Sequence, residues 1–213
     1  MDRLSEELLL GKTKNDRGIF DIVIFIVAIV LLGGILAFRI VFLPVDVSGK
    51  SMYKTIYDGD WLLINQYAAV KRFDIAVIDI GTKSDGSEIN YIKRIIGLPG
   101  ETVIIENGKV YIKAKNGKIT QLDESGYAYY GNNTEGTFVN GQAAQRIWEL
   151  GDNEIFFMGD NRYNSRDSRD DSIGVKTVDK VVGVVPDFAI RYKSFITKYY
   201  EFNKKINKFF KIA

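Results

Sequence analysis

The sequence predicts a mostly β protein, in which an antiparallel, barrel-like body follows a single N-terminal transmembrane helix. The helix is predicted by Ile22 to Phe38, an apolar run that contains no charge. The body is predicted by short runs of β-branched and aromatic residues from Pro44 onwards, which is the composition of strands. The pairs Asn107-Gly108 and Asn116-Gly117 separate such runs, and Asn-Gly is a strong signal for a two-residue hairpin turn.

The apolar run is expected to be an uncleaved membrane anchor at residues 22–43. At about 1.5 Å per residue its core falls short of a hydrocarbon layer of about 30 Å, so the anchor extends to Leu43, with Arg39 snorkelling to the interface. A buried core helix is the alternative, but such a helix has one apolar stripe, whereas this run is apolar on all sides. A cleavable signal peptide is disfavoured, because residues 39–47 are bulky and offer no small-x-small site.

The charges that flank the anchor predict its orientation. Lys and Arg are slightly more numerous before the uncharged run Ile22 to Phe38 (Arg3, Lys12, Lys14, Arg17) than within a comparable distance after it (Arg39, Lys50, Lys54). Because cytoplasmic flanks carry the excess of Lys and Arg, residues 1–21 are predicted to be cytoplasmic. The protein is then a single-pass protein of the cell membrane, with its body outside the cytoplasm.

The body is expected to cover residues 44–191. Strands are predicted at Trp61–Asn65, Ile75–Ile80, Ile89–Ile96, Thr102–Ile105, Val110–Ile112, Lys118–Leu122, Glu154–Met158 and Lys180–Val185. A variable insertion is expected at about residues 107–150. Its polar, tyrosine-rich part, residues 123–140, is predicted to be a loop without a chemical role.

The tail, residues 192–213, differs in composition from the body. It interleaves aromatic and aliphatic residues with many lysines, against a single acid, Glu201. This pattern is typical of a basic amphipathic helix that rests on a membrane surface. It also fits a terminal helix that docks on the body and leaves its basic face in water, and the sequence leaves both interpretations open.

Composition excludes several kinds of chemistry. The chain has no cysteine and no histidine, so thiolate nucleophiles, Ser-His-Asp triads and His-ligated metal sites are excluded. Acid–base chemistry near neutral pH must therefore come from a lysine or a carboxylate with a shifted pKa. The net charge of +2 gives no reason to expect nucleic-acid binding.

Ser51 is a candidate nucleophile. It follows a turn that contains Gly49, a few residues beyond the anchor. Serines in glycine-containing turns are commonly structural, so this segment alone leaves both roles open.

Lys93 is a candidate general base. Strand alternation places it on the face opposite Ile92 and Arg94, in an apolar stretch. Burial disfavours the charged amine and should lower its pKa from about 10.4 toward about 7 to 8, where it can accept a hydroxyl proton. The alternative is a lysine that snorkels at a strand edge. Arg94 cannot act as a base and suits an ion pair.

Residues 158–169 collect acids, arginines, amides and hydroxyls in a dozen positions. Ser165 could hold the amine of a lysine, while Asp160 and Asp167 could pair with arginines and fix the loop. A solvated polar loop is the alternative. A calcium loop is disfavoured, because the acids lack alternate-position spacing and arginines intervene.

Together, in this order behind an anchor, these segments resemble the bacterial type I signal peptidases (leader peptidases), a family of Ser-Lys proteases, and its Gram-positive branch in particular. The nucleophile box of the family is similar to residues 51–56, a following Gly-Asp pair to Gly59-Asp60, the lysine box to residues 91–100, and the polar loop to residues 158–169. The resemblance covers about residues 45–185, with a variable middle region, in addition to the anchor.

The resemblance implies a membrane-bound serine endopeptidase that removes signal peptides from exported preproteins at small-x-small sites, without a metal or other cofactor. Ser51 would be the nucleophile and Lys93 the general base. The supporting residues would be Ser165, Asp160, Asp167, Arg94 and Arg169, and the substrate pocket would include Val45, Val47, Met52 and Ile92. The partners would be preproteins and membrane lipid, and no nucleic acid.

Two positions depart from the family pattern. Lys54 stands where the family usually has proline, which leaves the substrate fit open. Gly49 stands where some members have a serine that assists the oxyanion hole, so that a backbone donor is expected here. Two other functions remain as alternatives: a membrane-tethered, non-catalytic β scaffold, and a Ser-Lys protease of another type, such as a self-cleaving repressor.

Overall fold

The structure is a computed structural model that describes residues 3–131, 136–137 and 145–210, with the side chains of 18–131, 136–137 and 145–206. The predicted insertion and tail therefore lie partly outside the described residues. The chain divides into two compact units, Met1–Phe42 and Leu43–Ala213.

The first unit contains helix α1, Arg3–Val41. Its segment Gly18–Val41 is 24 residues long, with a mean hydropathy of 3.0 and no buried part, so by length and composition it is able to cross a membrane. The helix ends at Val41, and Phe42 and Leu43, which the sequence placed in the anchor, belong to the first strand. The reason is local: Pro44 cannot continue a helix and disfavours helical backbone in the residue before it.

The described residues of the body form strands, a 3-10 turn and two helices. The strands are β1 (Phe42–Asp46), β2 (Trp61–Asn65), β3 (Ile75–Thr82), β4 (Glu88–Gly97), β5 (Thr102–Glu106), β6 (Lys109–Lys113), β7 (Ile119–Gln121), β8 (Arg146–Glu149), β9 (Glu154–Met158), β10 (Lys176–Thr177) and β11 (Val181–Val185). The turn covers Val178–Lys180, and the helices are α2 (Asp187–Arg191) and α3 (Lys193–Phe210).

The strands form two sheets. One has the order β1-β2-β11-β3-β4-β9-β10 and the other β7-β6-β5-β8. The strand pairs for which a register is defined are antiparallel, so the prediction of a mostly antiparallel β body is confirmed. The hairpin between β5 and β6 turns at Asn107-Gly108, as the Asn-Gly signal predicts.

The strand predictions are confirmed to within a few residues, and β1, β8 and β10 were missed. β1 continues directly from the apolar run and contains a proline, which conceals it as a strand. β8 lies inside the predicted insertion, and β10 has only two residues, which is too short for a recognisable alternation.

β9 is buried on both faces. Ile155, Phe156, Phe157 and Met158 are all fully buried. Because side chains alternate along a strand, Phe156 and Met158 join the core that includes the β5–β6 hairpin, while Ile155 and Phe157 join a second core beside β3 and β4. A strand clamped in this way fixes the position of the polar loop that starts directly after it.

Candidate active site

Ser51 and Lys93 lie side by side, although 42 residues separate them in the chain. Lys93 is in β4, opposite Ala76 of β3, and is only 3% exposed. Its Nζ lies 2.7 Å from Ser51 Oγ and also donates to the Ile92 carbonyl at 3.1 Å. This is the distance that a base needs in order to take a hydroxyl proton.

The turn after β1 positions Ser51. Gly49 has a φ of 96°, which favours glycine, and its N–H donates to Asp58 Oδ1 at 2.8 Å. The polar loop holds the same turn from the other side, because the Asn161 N–H donates to the Ser51 carbonyl at 2.9 Å and its Nδ2 donates to the Lys50 carbonyl at 3.0 Å. The nucleophile candidate is thus tied to the loop through its backbone, and its hydroxyl is left to face Lys93.

The surroundings of Lys93 lower its pKa to about 8. Burial is the main cause, because it disfavours the charged amine. The Asp167 and Asp160 carboxylates act in the opposite direction, and the Arg169 guanidinium adds to the lowering. The pKa therefore lies near the range that the sequence predicted from apolar neighbours alone.

Asp160 forms an ion pair with Arg94; the sequence predicted an ion pair for each of these residues without assigning them to each other. Arg94 donates twice to the fully buried carboxylate, from Nε to Oδ1 at 2.8 Å and from an Nη to Oδ2 at 2.6 Å. The Thr55 hydroxyl also donates to Asp160. Since Thr55 belongs to the turn that carries Ser51, this carboxylate links the nucleophile turn, β4 and the polar loop.

Asp167 and Arg169 form a second ion pair with two hydrogen bonds, at 2.8 and 2.9 Å. Asp167 also accepts the Gly159 N–H at 3.0 Å. Burial raises the pKa of the Asp167 carboxyl, but the Arg169 guanidinium, with smaller contributions from the Gly159 N–H and the nearby Ser165 hydroxyl, brings the pKa below its usual range. The carboxylate therefore stays charged and joins the start of the polar loop, at Gly159, to its end, at Arg169.

Ser165 differs from its prediction. Its Oγ is buried, but among the described residues it has no hydrogen-bond partner, so the bond predicted between Ser165 and Lys93 is not formed. The amine of Lys93 is turned to Ser51 and the Ile92 carbonyl instead. The role of Ser165 in orienting Lys93 stays a prediction.

Gly159 has no room for a side chain. A Cβ atom at this position would lie 2.2 Å from Ser165 Oγ and 2.4 Å from the Ser51 carbonyl oxygen. Any other residue would push the loop away from the nucleophile turn. Gly159, directly after β9, is therefore what allows the loop to pack against Ser51.

The sequence reasoning missed a buried ion pair between Glu124 and Arg162. Both side chains are buried, and Arg162 also donates to Thr137 Oγ1 at 2.8 Å and to the Gly159 carbonyl at 3.0 Å. Glu124 lies in the segment that was predicted to have no chemical role. The available signal was the number of arginines in the loop: Arg162, Arg166 and Arg169 outnumber its two acids, Asp160 and Asp167, so one arginine needed a partner from another segment.

The same segment is joined to the polar loop through its backbone. The Tyr129 N–H donates to the Asp160 carbonyl at 2.7 Å, and the Arg162 N–H donates to the Tyr129 carbonyl at 2.8 Å. Glu124, Tyr129 and Thr137 thus contact the polar loop, and the part of the insertion that the structure describes supports the site.

A cleft of about 580 Å³ opens beside Ser51 and Lys93. Val45, Val47 and Ile92, which the sequence assigned to the substrate pocket, line this cleft, and their contact with substrate stays a prediction. Met52 does not line the cleft, and this prediction is wrong: its side chain is 1% exposed and its sulfur accepts the Asp160 N–H at 3.5 Å. Met52 follows Ser51 in a tight turn, so when Ser51 faces the cleft the next side chain points into the protein.

Two features concern the positions that depart from the family pattern. The peptide bond between Tyr53 and Lys54 is cis, and Lys54 Nζ lies 4.9 Å from the centre of the Tyr129 ring. The Gly49 N–H is occupied by Asp58, whereas the Ser51 N–H makes no hydrogen bond to any described residue. Ser51 is therefore the better backbone donor for an oxyanion.

Comparisons with known proteins point to one family. A family model described as "Signal peptidase, peptidase S26" matches residues 19–188. A signal peptidase I from Bacillus amyloliquefaciens is 36% identical over 146 residues, which are 67% of this chain and 70% of that protein. Signal peptidase I T from Bacillus subtilis (strain 168) is 34% identical over 166 residues, 74% of this chain and 78% of that protein.

Among solved structures, a signal peptidase I from Enterococcus faecalis V583 is 27% identical, covers 56% of this chain and 98% of its own, and has a TM-score of 0.37. The family model spans well over half of the chain, and it includes Ser51, Lys93 and the polar loop. The protein therefore belongs to the signal peptidase family, peptidase S26.

Proposed function

We propose that the protein is a serine endopeptidase that removes signal peptides from exported preproteins, with Ser51 as nucleophile and Lys93 as general base. The distance of 2.7 Å between Ser51 Oγ and the amine of a buried lysine carries the proposal. A lysine with a pKa of about 8 is neutral in a useful fraction of molecules near neutral pH, so it can accept the serine proton.

The geometry supports a two-step reaction. Lys93 takes the proton of Ser51 as Oγ attacks the carbonyl carbon of the scissile peptide bond, and the Ser51 N–H donates to the developing oxyanion. Lys93 then gives the proton to the leaving amine, and an acyl-enzyme ester remains. In the second step Lys93 takes a proton from water, the hydroxide attacks the ester, and Ser51 regains its proton.

The ion pairs keep the reacting groups in place. Asp160 with Arg94 joins the nucleophile turn to β4, and Asp167 with Arg169 stiffens the loop. The cleft walls at Val45, Val47 and Ile92 suit small apolar side chains, which is consistent with small-x-small substrates. No step needs a metal or another cofactor.

The protein is proposed to act at the cell membrane. The apolar segment Gly18–Val41 of α1 would anchor it in lipid, with the residues before it cytoplasmic and the protease domain, from residue 44 onwards, outside the cytoplasm. Its partners would then be preproteins and membrane lipid, and no nucleic acid. Substrates are themselves held in the membrane by their signal peptides, so anchoring raises their local concentration.

Cleavage of a preprotein tests the proposed function. The full chain in detergent micelles is expected to cut a preprotein once, directly after an Ala-x-Ala sequence, and sequencing of the new N-terminus locates the cut. Replacing the last alanine before the cut by phenylalanine should abolish cleavage, because a pocket that fits a small side chain has no room for the phenylalanine ring. A preprotein that stays intact would instead support a scaffold, and a cut that ignores this alanine would indicate another kind of protease.

The dependence of rate on pH tests the base. Below pH 8 most Lys93 amines are protonated, so kcat/KM is expected to rise about tenfold per pH unit and to level off above about 8. The measurement uses a substrate without groups that titrate in this range. A flat profile between about pH 6 and 9 would show that Lys93 is not the base.

A further inference from the structure

Helix α3 presents an exposed aromatic stripe, formed by Phe195, Tyr199 and Phe202. Their side chains are 73%, 52% and 61% exposed. The spacings of four and three residues place them on one face of the helix. Single exposed apolar residues are ordinary on protein surfaces, but a stripe of large rings along a helix marks an interaction site.

The stripe is not needed to hold α3 on the body. A neighbouring face of the helix does this, because Ile196 is buried, Thr197 Oγ1 accepts the Trp61 N–H at 2.8 Å, and the Tyr200 ring stacks on Trp61 at 4.9 Å between centres. Lys193 adds a hydrogen bond to the Thr55 carbonyl at 2.8 Å and an ion pair with Asp60 at 2.9 Å. The docked-helix interpretation of the tail is thus correct for one face, and the aromatic stripe remains outside that contact.

Positive charge accompanies the stripe. Lys198 and Lys205 are exposed and lie seven residues apart, so they follow the same line along the helix next to the aromatic rings. Glu201 is the single acid among residues 193–210. A helix with rings on one side and lysines beside them matches the boundary between acyl chains and anionic headgroups.

We propose that this face of α3 binds the surface of an anionic lipid bilayer, with Phe195, Tyr199 and Phe202 entering the interface and Lys198 and Lys205 contacting the headgroups. A bilayer is the favoured partner because the same chain carries a segment able to span one, so a lipid surface is present at high local concentration. The family match ends at residue 188, before α3 begins. The contact is thus a feature of this chain beyond the proposed function.

The absence of cysteine allows a direct test. Phe202→Cys and, as a matched control at an exposed position on the opposite side of the same helix, Lys204→Cys are each labelled with an environment-sensitive fluorophore in the full chain. The labelled proteins are placed in vesicles of phosphatidylglycerol and phosphatidylcholine. We expect a blue-shifted emission at position 202 that lipids carrying a nitroxide quench, and a water-like, unquenched emission at position 204.

A double variant and a change of lipid composition test the charge. K198E combined with K205E should reduce the quenching at position 202, and so should vesicles of phosphatidylcholine alone. Water-like emission at position 202 in anionic vesicles would overturn the proposal. A blue shift that lipid nitroxides do not quench would also overturn it, because it would show that a protein surface covers the stripe.

Discussion

Replacing Lys93 by methionine is expected to abolish cleavage of preproteins and to leave the fold intact, and Ser51→Ala should do the same. When two groups act as one catalytic unit, removing either of them reduces activity about as much as removing both. The expected loss in kcat is on the order of 10⁴ to 10⁶. Methionine has a similar length and no charge. Because burial is what lowers the pKa of Lys93, removing the amine should not lower the thermal stability.

Three measurements make this prediction specific. Lys93→Arg should also be inactive, because a guanidinium does not give up its proton. Lys83→Met, the same change at an exposed lysine in the turn between β3 and β4, should cleave like the wild type. Cleavage by Lys93→Met at a rate comparable with the wild type, with the unfolding temperature unchanged, would remove Lys93 from the mechanism.

The sequence predicted the central pair because its signals are local. The apolar neighbours of Lys93 in β4 indicated burial, and strand alternation gave its direction. The absence of histidine then made a lysine the natural base. The structure adds the distance to Ser51, which depends on how the turn after β1 folds back against β4 and which no local pattern contains.

The errors have a different origin. Met52 was assigned to the substrate pocket because it is apolar and next to Ser51, but a turn sends neighbouring side chains in different directions. Glu124 was overlooked because its partner Arg162 is 38 residues away, and composition alone makes the segment around it resemble a surface loop. Contacts of this kind depend on tertiary structure, so local patterning cannot predict them.

Strand β9, which precedes the polar loop, combines a feature that the sequence predicts with one that only the tertiary structure shows. The run Glu154–Met158 was predicted as a strand, and a continuous apolar run indicates burial on both faces. What the sequence could not show is that its two faces belong to two different cores. Packing on both faces of β9 fixes the position of Gly159, and the close contact of Gly159 with the Ser51 carbonyl sets the position of Ser51 relative to the loop.

Replacing Glu124 by glutamine is expected to destabilise the protein by about 3 to 5 kcal/mol, since it leaves the buried Arg162 without its counter-charge. Cleavage should fall as well. Arg162 donates to the Gly159 carbonyl, so a shift of its guanidinium moves the residue that packs against Ser51. Unfolding in urea measures the first effect, and kcat/KM on a preprotein under fully folding conditions measures the second.

A double-mutant cycle separates the ion pair from a general loss of packing. Combining Glu124→Gln with Arg162→Met removes both buried charges, so the double variant should be more stable than Glu124→Gln alone. Glu149→Gln, the same change at an exposed position in β8, should leave stability and cleavage unchanged. Strictly additive losses in the double variant would mean that the two side chains do not depend on each other. The segment around Glu124 would then be a neighbour of the active site rather than a support for it.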